Sequence, residues 1–116
     1  MTPATGGSAL GRLGEDAAGD WYLQHGCEIV QRNWSCRTGG IDLICRRGRV
    51  LVICEVKTRS THQFGSPFEV VTSAKRRRLR RIATLYLLEA APSSTVVRFD
   101  VVAVQDGRVE VLENAF

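Results

Sequence analysis

The stretch GIDLICRRGRVLVICEVKTR, Gly40 to Arg59, decides the fold. Ile41, Leu43 and Ile44, then Val50, Leu51, Val52, Ile53 and Val56, are strand formers on either side of a polar Arg-Arg-Gly-Arg turn, which predicts a β-hairpin. A two-residue loop at Arg47 and Gly48 would set Arg46 opposite Arg49 and Asp42 opposite Ile53. Opposed residues share a face of a sheet and alternate residues change face. One face then carries Asp42, Ile44, Leu51, Ile53, Glu55 and Lys57; the other carries Ile41, Leu43, Cys45, Val50, Val52, Cys54 and Val56 and is wholly apolar. Three charges therefore gather at one end of an otherwise apolar face. Glu55 and Lys57 stand about 6.6 Å apart along their strand, and Asp42 is a diagonal neighbour of Glu55, at roughly 7–8 Å between backbones.

Two carboxylates at that reach suit a hard divalent cation, Mg²⁺ or Mn²⁺, which takes phosphate oxygens and waters as further ligands. An ammonium beside them can stabilise charge on a phosphorane-like transition state or orient a water. The competing reading is a surface ion pair of Glu55 with Lys57, of small energetic worth. The apolar strand surroundings favour the site.

Outward from the hairpin, both sides read as α/β. Residues 1–7 have turn-former composition and read as a flexible tail, leaving 8–116 as one domain. Ser8 is placed to cap a helix through about His25, ended by Gly26. Leu10, Leu13, Ala17 and Trp21 fall at helical spacing as its expected buried stripe. Gly11, Gly14 and Gly19, costly in a helix, suggest close approach to a sheet or to a phosphate backbone. Cys27 to about Trp34 reads as the first strand and Ser35 to Gly39 as a turn. Beyond Arg59, the polar loop Ser60 to Pro67 leaves from the charged end of the hairpin and is a candidate lid or DNA-contacting loop; His62 within it reads as solvated rather than as a base.

Thr72 or Ser73 is placed to cap a second helix ending near Ala91, before Pro92. Leu79, Ile82, Ala83, Tyr86, Leu87 and Ala90 form its apolar stripe. Its first half carries Lys75, Arg76, Arg77, Arg78, Arg80 and Arg81 with no acid among them. Charge runs are usually solvated faces, but these cations repel one another without intrahelical pairing, and they crowd the end where the helix dipole disfavours them. A bound polyanion offsets both costs, so the run reads as a phosphate-contacting surface without base readout. Thr95 to Val104 is the next strand, and Asp106-Gly107 turns it into a short last strand, Arg108 to Leu112. The order α-β-β-β-α-β-β gives an α/β domain with a mixed sheet flanked by two helices, the second helix supplying a crossover between two strands that can then run parallel. Asp100, inside an apolar strand, reads as structural rather than as a third acid of the site.

The chain of 116 residues is long enough for one core, with 44% apolar and 24% charged residues. A net charge of +4 and a pI near 9.2 lean mildly toward polyanions. Cysteines at 27, 36, 45 and 54 lack zinc-ligand spacing, so no zinc is expected and the thiols are expected reduced. No apolar run approaches a membrane span, and no charged-then-apolar leader opens the chain, so no membrane partner and a cytoplasmic location are expected.

Asp42 followed thirteen residues later by Glu55-Val56-Lys57 resembles the PD-(D/E)XK signature of restriction-endonuclease-like nucleases. A wider set of residues resembles, in order, the small bacterial YraN family: Gly11-Arg12-Leu13-Gly14-Glu15, Asn33-Trp34, Ile41-Asp42-Leu43-Ile44, Glu55 to Arg59, Phe64-Gly65-Ser66-Pro67, Lys75 and Arg98-Phe99-Asp100-Val101. That family is in turn similar to archaeal Holliday-junction resolvases. The resemblance implies a restriction-endonuclease-like core. It also implies a Mg²⁺- or Mn²⁺-dependent endonuclease hydrolysing phosphodiester bonds of DNA, branched or otherwise structured. Asp42, Glu55 and Lys57 would be the catalytic residues; Asp42, Glu55 and the Val56 carbonyl would hold the metal, joined by Glu15 from the first helix. For Glu15 taken alone, a first-turn acid favoured by the helix dipole is the competing reading. Arg59, Lys75, Arg76, Arg77, Arg80 and Arg81 would contact nucleic acid. Resolvases of related fold act as dimers because two strands need symmetric cuts, which raises a homodimer as an expectation.

One departure bears on activity. The family usually reads Gly-Glu-Ile-Asp where this chain has Gly39-Gly40-Ile41-Asp42. In the register above position 40 lies opposite Glu55, so the site would be one acid short. That substitution favours the second reading, a non-catalytic nucleic-acid-binding accessory protein with a vestigial nuclease site. A structural domain with charged surface decoration is the third.

Overall fold

A computed structural model describes residues 9–59, 71–90 and 96–116. The expected tail, the Ser8 cap and the 60–67 loop with His62 lie outside the described residues. Helix α1 (Ala9–Gln24) is followed by strands β1 (Glu28–Cys36), β2 (Gly39–Arg47) and β3 (Val50–Arg59), helix α2 (Ser73–Ala90), and strands β4 (Val96–Gln105) and β5 (Arg108–Leu112). The α/β order α-β-β-β-α-β-β is the expected one.

The five strands lie in the sheet in chain order. β1–β2, β2–β3 and β4–β5 are antiparallel, and β3–β4 is parallel, joined through α2. One helix covers each face. On the α1 side, Leu43, Cys45, Val52, Cys54, Val102 and Val104 pack under Ala18 and Tyr22. On the α2 side, Ile44, Leu51 and Ile53 pack with Trp34 under Ile82, Ala83 and Tyr86. The four cysteines are free, and Cys45 and Cys54 are fully buried as small hydrophobes.

The hairpin register differs from the expected one by two residues. Arg47 pairs with Val50, so the loop residues are Gly48 and Arg49. Gly48 has φ +61°, at the first central position, where a type II′ turn places glycine. A shift of two preserves the alternation, so the sorting of faces stands, with one exception. Ile41 belongs to the α2-side cluster with Trp34 rather than to the face of Leu43 and Cys45. The cause lies next door: Asn33 on β1 has φ +50°, a left-handed residue inside a strand, and the neighbouring Trp34 pairs with Ile41. β1 also runs on to Cys36, where a turn was expected from Ser35.

Of the expected buried stripe of α1, Ala17 and Trp21 pack half-buried against the core, but Leu10 and Leu13 do not. Gly14, Glu15, Ala18, Gly19 and Tyr22 face the sheet, while Leu13 is 66% exposed and Leu10 49%. Small residues let the helix lie close to the strands, and closeness outweighed the burial of two leucines. A Cβ on Gly14 would stand 1.8 Å from Thr58 Oγ1 on β3, so the close approach suggested by the glycines is to the sheet. On α2, Thr72 is the cap, its Oγ1 accepting from the Lys75 N–H at 3.2 Å. Of the expected α2 stripe, Leu79, Ile82, Ala83 and Tyr86 are buried, Leu87 is half-buried, and Ala90 is exposed. Among the described residues no helix is long and apolar enough to cross a membrane.

Asp100 is fully buried and structural, as expected. It accepts from Tyr22 Oη at 2.6 Å, from Arg98 Nε at 3.0 Å and from the Asn114 N–H at 2.9 Å. A buried carboxylate so supplied with donors ties α1, β4 and the C-terminal segment together.

Candidate functional site

The site begins where the β2–β3 ladder stops. Leu43 and Cys54 are its last pair on this side, whereas β2 continues to pair with β1 through Gly40 with Ser35 and Gly39 with Cys36. β2 thus forks away from β3. In the fork, the Val56 N–H, freed from the ladder, donates to Asp42 Oδ2 at 2.8 Å. Extending the register puts Asp42 across from Glu55 itself, so the carboxylates are opposed rather than diagonal. It also moves Gly40 away from Glu55.

Both helices reach into this fork. Glu15, which α1 buries against the sheet, accepts from Asn33 Nδ2 at 3.1 Å. From α2, Lys75 Nζ reaches Glu55 Oε2 at 2.5 Å, and Lys57 Nζ stands 3.4 Å from the same oxygen. Glu55 is buried.

The electrostatics follow from this crowding. Burial, then the charge of Glu55, with a further contribution from Glu15, pushes the Asp42 carboxyl up to about 7, against the Val56 N–H, which favours the ionised form. Burial and contact with Lys75 lower the Lys57 ammonium, although Glu55 supports it. Burial works against Lys75 as well, but its hydrogen bonds to Glu55 and Lys57 and the charges of Glu55 and Asp42 raise it. Asp42 is repelled by Glu55 and Glu15 while two ammonium groups hold Glu55, an arrangement that a divalent cation would relieve. The donors are all hard oxygens, the right class for Mg²⁺ or Mn²⁺. Asn33 Oδ1 adds a buried oxygen with no hydrogen-bond partner among the described residues. The Asp42 and Glu55 pair suits such an ion, which keeps waters as further ligands, although among the described residues no three such side chains are grouped to hold one.

The sequence-derived site residues are distributed as follows. Asp42, Glu55, Lys57 and Glu15 come together, and between Val56 and Asp42 the recorded contact is the Val56 N–H. Lys75, expected on the outer basic surface, is instead inside the acidic cluster. Arg76 and Arg80 lie over the Phe116 ring, each 5.6 Å from its centroid, and that ring stacks on Phe99 at 5.0 Å. Arg77, Arg78 and Arg81 are exposed, and none of the five α2 arginines has an acidic partner among the described residues. Arg59 ends β3 at a groove lined by Leu10, Leu13, Thr58 and Val104, apart from the α2 surface. Asn33 and the inward role of Lys75 went unassigned in the sequence. The signal for Asn33 was an asparagine within a strand, the residue type that tolerates positive φ.

With this geometry in view, the comparisons are decisive. The family model described as "Uncharacterised protein family UPF0102" matches residues 14–104. The chain belongs to the UPF0102 family. YraN is this same family, so the resemblance carried by the motifs is confirmed. A UPF0102 protein of Frankia casuarinae is 46% identical over 113 residues, covering 93% of this chain and 96% of that protein. One of Beutenbergia cavernae is 50% identical over 96 residues, 83% and 81% of the two chains. One of Symbiobacterium thermophilum is 45% identical over 112 residues, 92% and 95%. The UPF0102 match starts at Gly14, beside Glu15, and ends at Val104, so it spans every member of the acidic cluster.

Proposed function

We propose that this UPF0102 chain is a metal-dependent nuclease that hydrolyses phosphodiester bonds of DNA, with branched or structured DNA as its substrate class. The observation that carries the reading is the pairing of Asp42 with Glu55 in the fork between β2 and β3, with Glu15 of α1 near enough to act on Asp42. Ordinary packing would not bury a carboxylate beside other acids, where burial first and then the charges of Glu55 and Glu15 raise it to about 7. Glu15, Asp42 and Glu55 would hold Mg²⁺ or Mn²⁺, with the Val56 carbonyl as the further ligand that the resemblance implies. Bound there, such an ion supplies charge neutralisation at the phosphate and a water acidified toward hydroxide.

The chain's own groups do the rest. The Val56 N–H fixes the Asp42 carboxylate, and Asn33 Nδ2 fixes Glu15. Lys57, 3.4 Å from Glu55 Oε2, is placed to meet charge developing on the phosphate or to orient the attacking water. The exposed arginines of α2 track the sugar–phosphate backbone without reading bases. Arg76 and Arg80, braced on Phe116, present their charge in fixed positions.

The test is cleavage of labelled duplex, single-strand, flap and four-way-junction DNA with Mn²⁺, Mg²⁺ or chelator. Metal-dependent cutting that Glu55→Ala abolishes supports the nuclease. The second reading, a DNA-binding accessory protein with a vestigial site, rests on Gly40. Binding of the same DNAs without cutting in any metal would favour it.

A further inference from the structure

Glu55 Oε2 is held by two ammonium groups from two different elements. Lys57 belongs to the same strand, two residues on, and its position is fixed by the pleat. Lys75 comes from the first turn of α2, its backbone N–H tied to the Thr72 cap, and reaches the carboxylate only through its long side chain. The two contacts therefore differ in kind. Lys57 is built into the site, whereas Lys75 is inserted from outside, with its side chain 21% exposed. A cation in the first turn opposes the helix dipole, so Lys75 would face solvent or anion if Glu55 did not hold it.

A carboxylate oxygen shared by two ammonium groups is poorly available to a divalent ion, which requires it at about 2.0–2.1 Å. Beside Lys75, Thr72, Ala74 and Arg78 line a shallow open depression at the start of α2. Arg78 is one helical turn beyond Lys75 and exposed. A phosphate seated in that depression would offer Lys75 an alternative anion a short side-chain rotation away, with Arg78 as its partner. We propose that Lys75 is a tethered cation occupying the acidic site, displaced from Glu55 onto a nucleic-acid phosphate when a divalent ion enters. Metal and nucleic acid then bind cooperatively through the first turn of α2.

This rests on the nuclease reading and goes beyond it, making Lys75 the coupling element rather than one more backbone contact. Its test is Mn²⁺ titration by calorimetry at pH 8. The wild type, Lys75→Met and Lys75→Gln would be compared, each alone and with a phosphorothioate-blocked four-way junction. Arg49→Met, at the exposed hairpin turn away from the site, controls for loss of one positive charge.

Without DNA, both Lys75 variants are expected to bind Mn²⁺ about tenfold more tightly than wild type, the worth of one charge-assisted hydrogen bond. Arg49→Met should stay within about twofold at the buffer's ionic strength. In the wild type, the junction should tighten Mn²⁺ by a similar factor, and Mn²⁺ should tighten the junction equally, as linkage requires. In the Lys75 variants that mutual factor should fall toward one. Unchanged or weaker Mn²⁺ binding by both variants would overturn the proposal while leaving the nuclease reading intact. No Mn²⁺ binding by any protein, with or without DNA, would remove both.

Discussion

Replacing Asp42 by asparagine takes away a charge that the fold carries at its own expense. In the folded chain, burial and the neighbouring Glu55 and Glu15 hold the Asp42 carboxyl near 7, against an ordinary value of 3.8. Between about pH 4 and 7 the folded chain therefore keeps a proton that the unfolded chain has released. Stability from this group is present at low pH, falls as pH rises through that window, and levels off above it. At 1.36 kcal/mol per pH unit, the ionised carboxylate costs on the order of 4 kcal/mol at pH 8. Asp42→Asn keeps the side-chain shape and an oxygen to accept the Val56 N–H. Urea unfolding in chelator-treated buffer should find the variant about 2–4 kcal/mol more stable than wild type at pH 8, narrowing to about 1–2 kcal/mol at pH 5. Comparing the two proteins at each pH cancels the titration of groups that do not interact with Asp42. Mn²⁺ at pH 8 should then stabilise the wild type and not the variant. Equal or lower stability of the variant at pH 8 would refute the claim that burial and the neighbouring acids raise the Asp42 carboxyl.

Three further outcomes follow from the same geometry. Converting Arg77, Arg78 and Arg81 to glutamine should weaken binding to all DNAs alike and reduce the slope of log affinity against log salt by about 2–3, measured by fluorescence anisotropy, because these are phosphate contacts. Gly14→Ala should lower stability by about 1–3 kcal/mol in thermal unfolding, since the new methyl meets Thr58 on β3; lifting α1 should also weaken Mn²⁺ binding through Glu15. Tyr22→Phe should cost about 1–3 kcal/mol by leaving the buried Asp100 one donor short, yet leave Mn²⁺ affinity unchanged, because that carboxylate belongs to the core.

Much of this was legible in the sequence because short-period signals dominate it. The alternation in 41–56, the glycine turns and the α2 stripe specify strands, turns and helix locally. Face sorting survived a wrong loop assignment because a two-residue slip conserves the period of two. Asp42, Glu55 and Lys57 were legible for the same reason, all three lying on one hairpin. What failed depended on contacts between distant elements. The α1 stripe was misplaced at Leu10 and Leu13 because they carry the larger hydrophobic signal, while Gly14, Ala18 and Gly19 gain by proximity, which periodicity does not weigh. Ile41 changed clusters because of one left-handed residue, Asn33, on the neighbouring strand. Lys75 read as a member of a basic run because nothing along the chain announces that the first turn of α2 ends beside Glu55.

The central claim is that Glu15, Asp42 and Glu55 form one divalent-cation site. The most direct measurement is an anomalous difference map from crystals soaked in Mn²⁺ at pH 8, where Asp42 is ionised. A single peak bridging the three carboxylates, with the Lys75 side chain withdrawn from Glu55, is the predicted result. A map with no peak in the fork, and Lys75 still on Glu55 in saturating Mn²⁺, would contradict it.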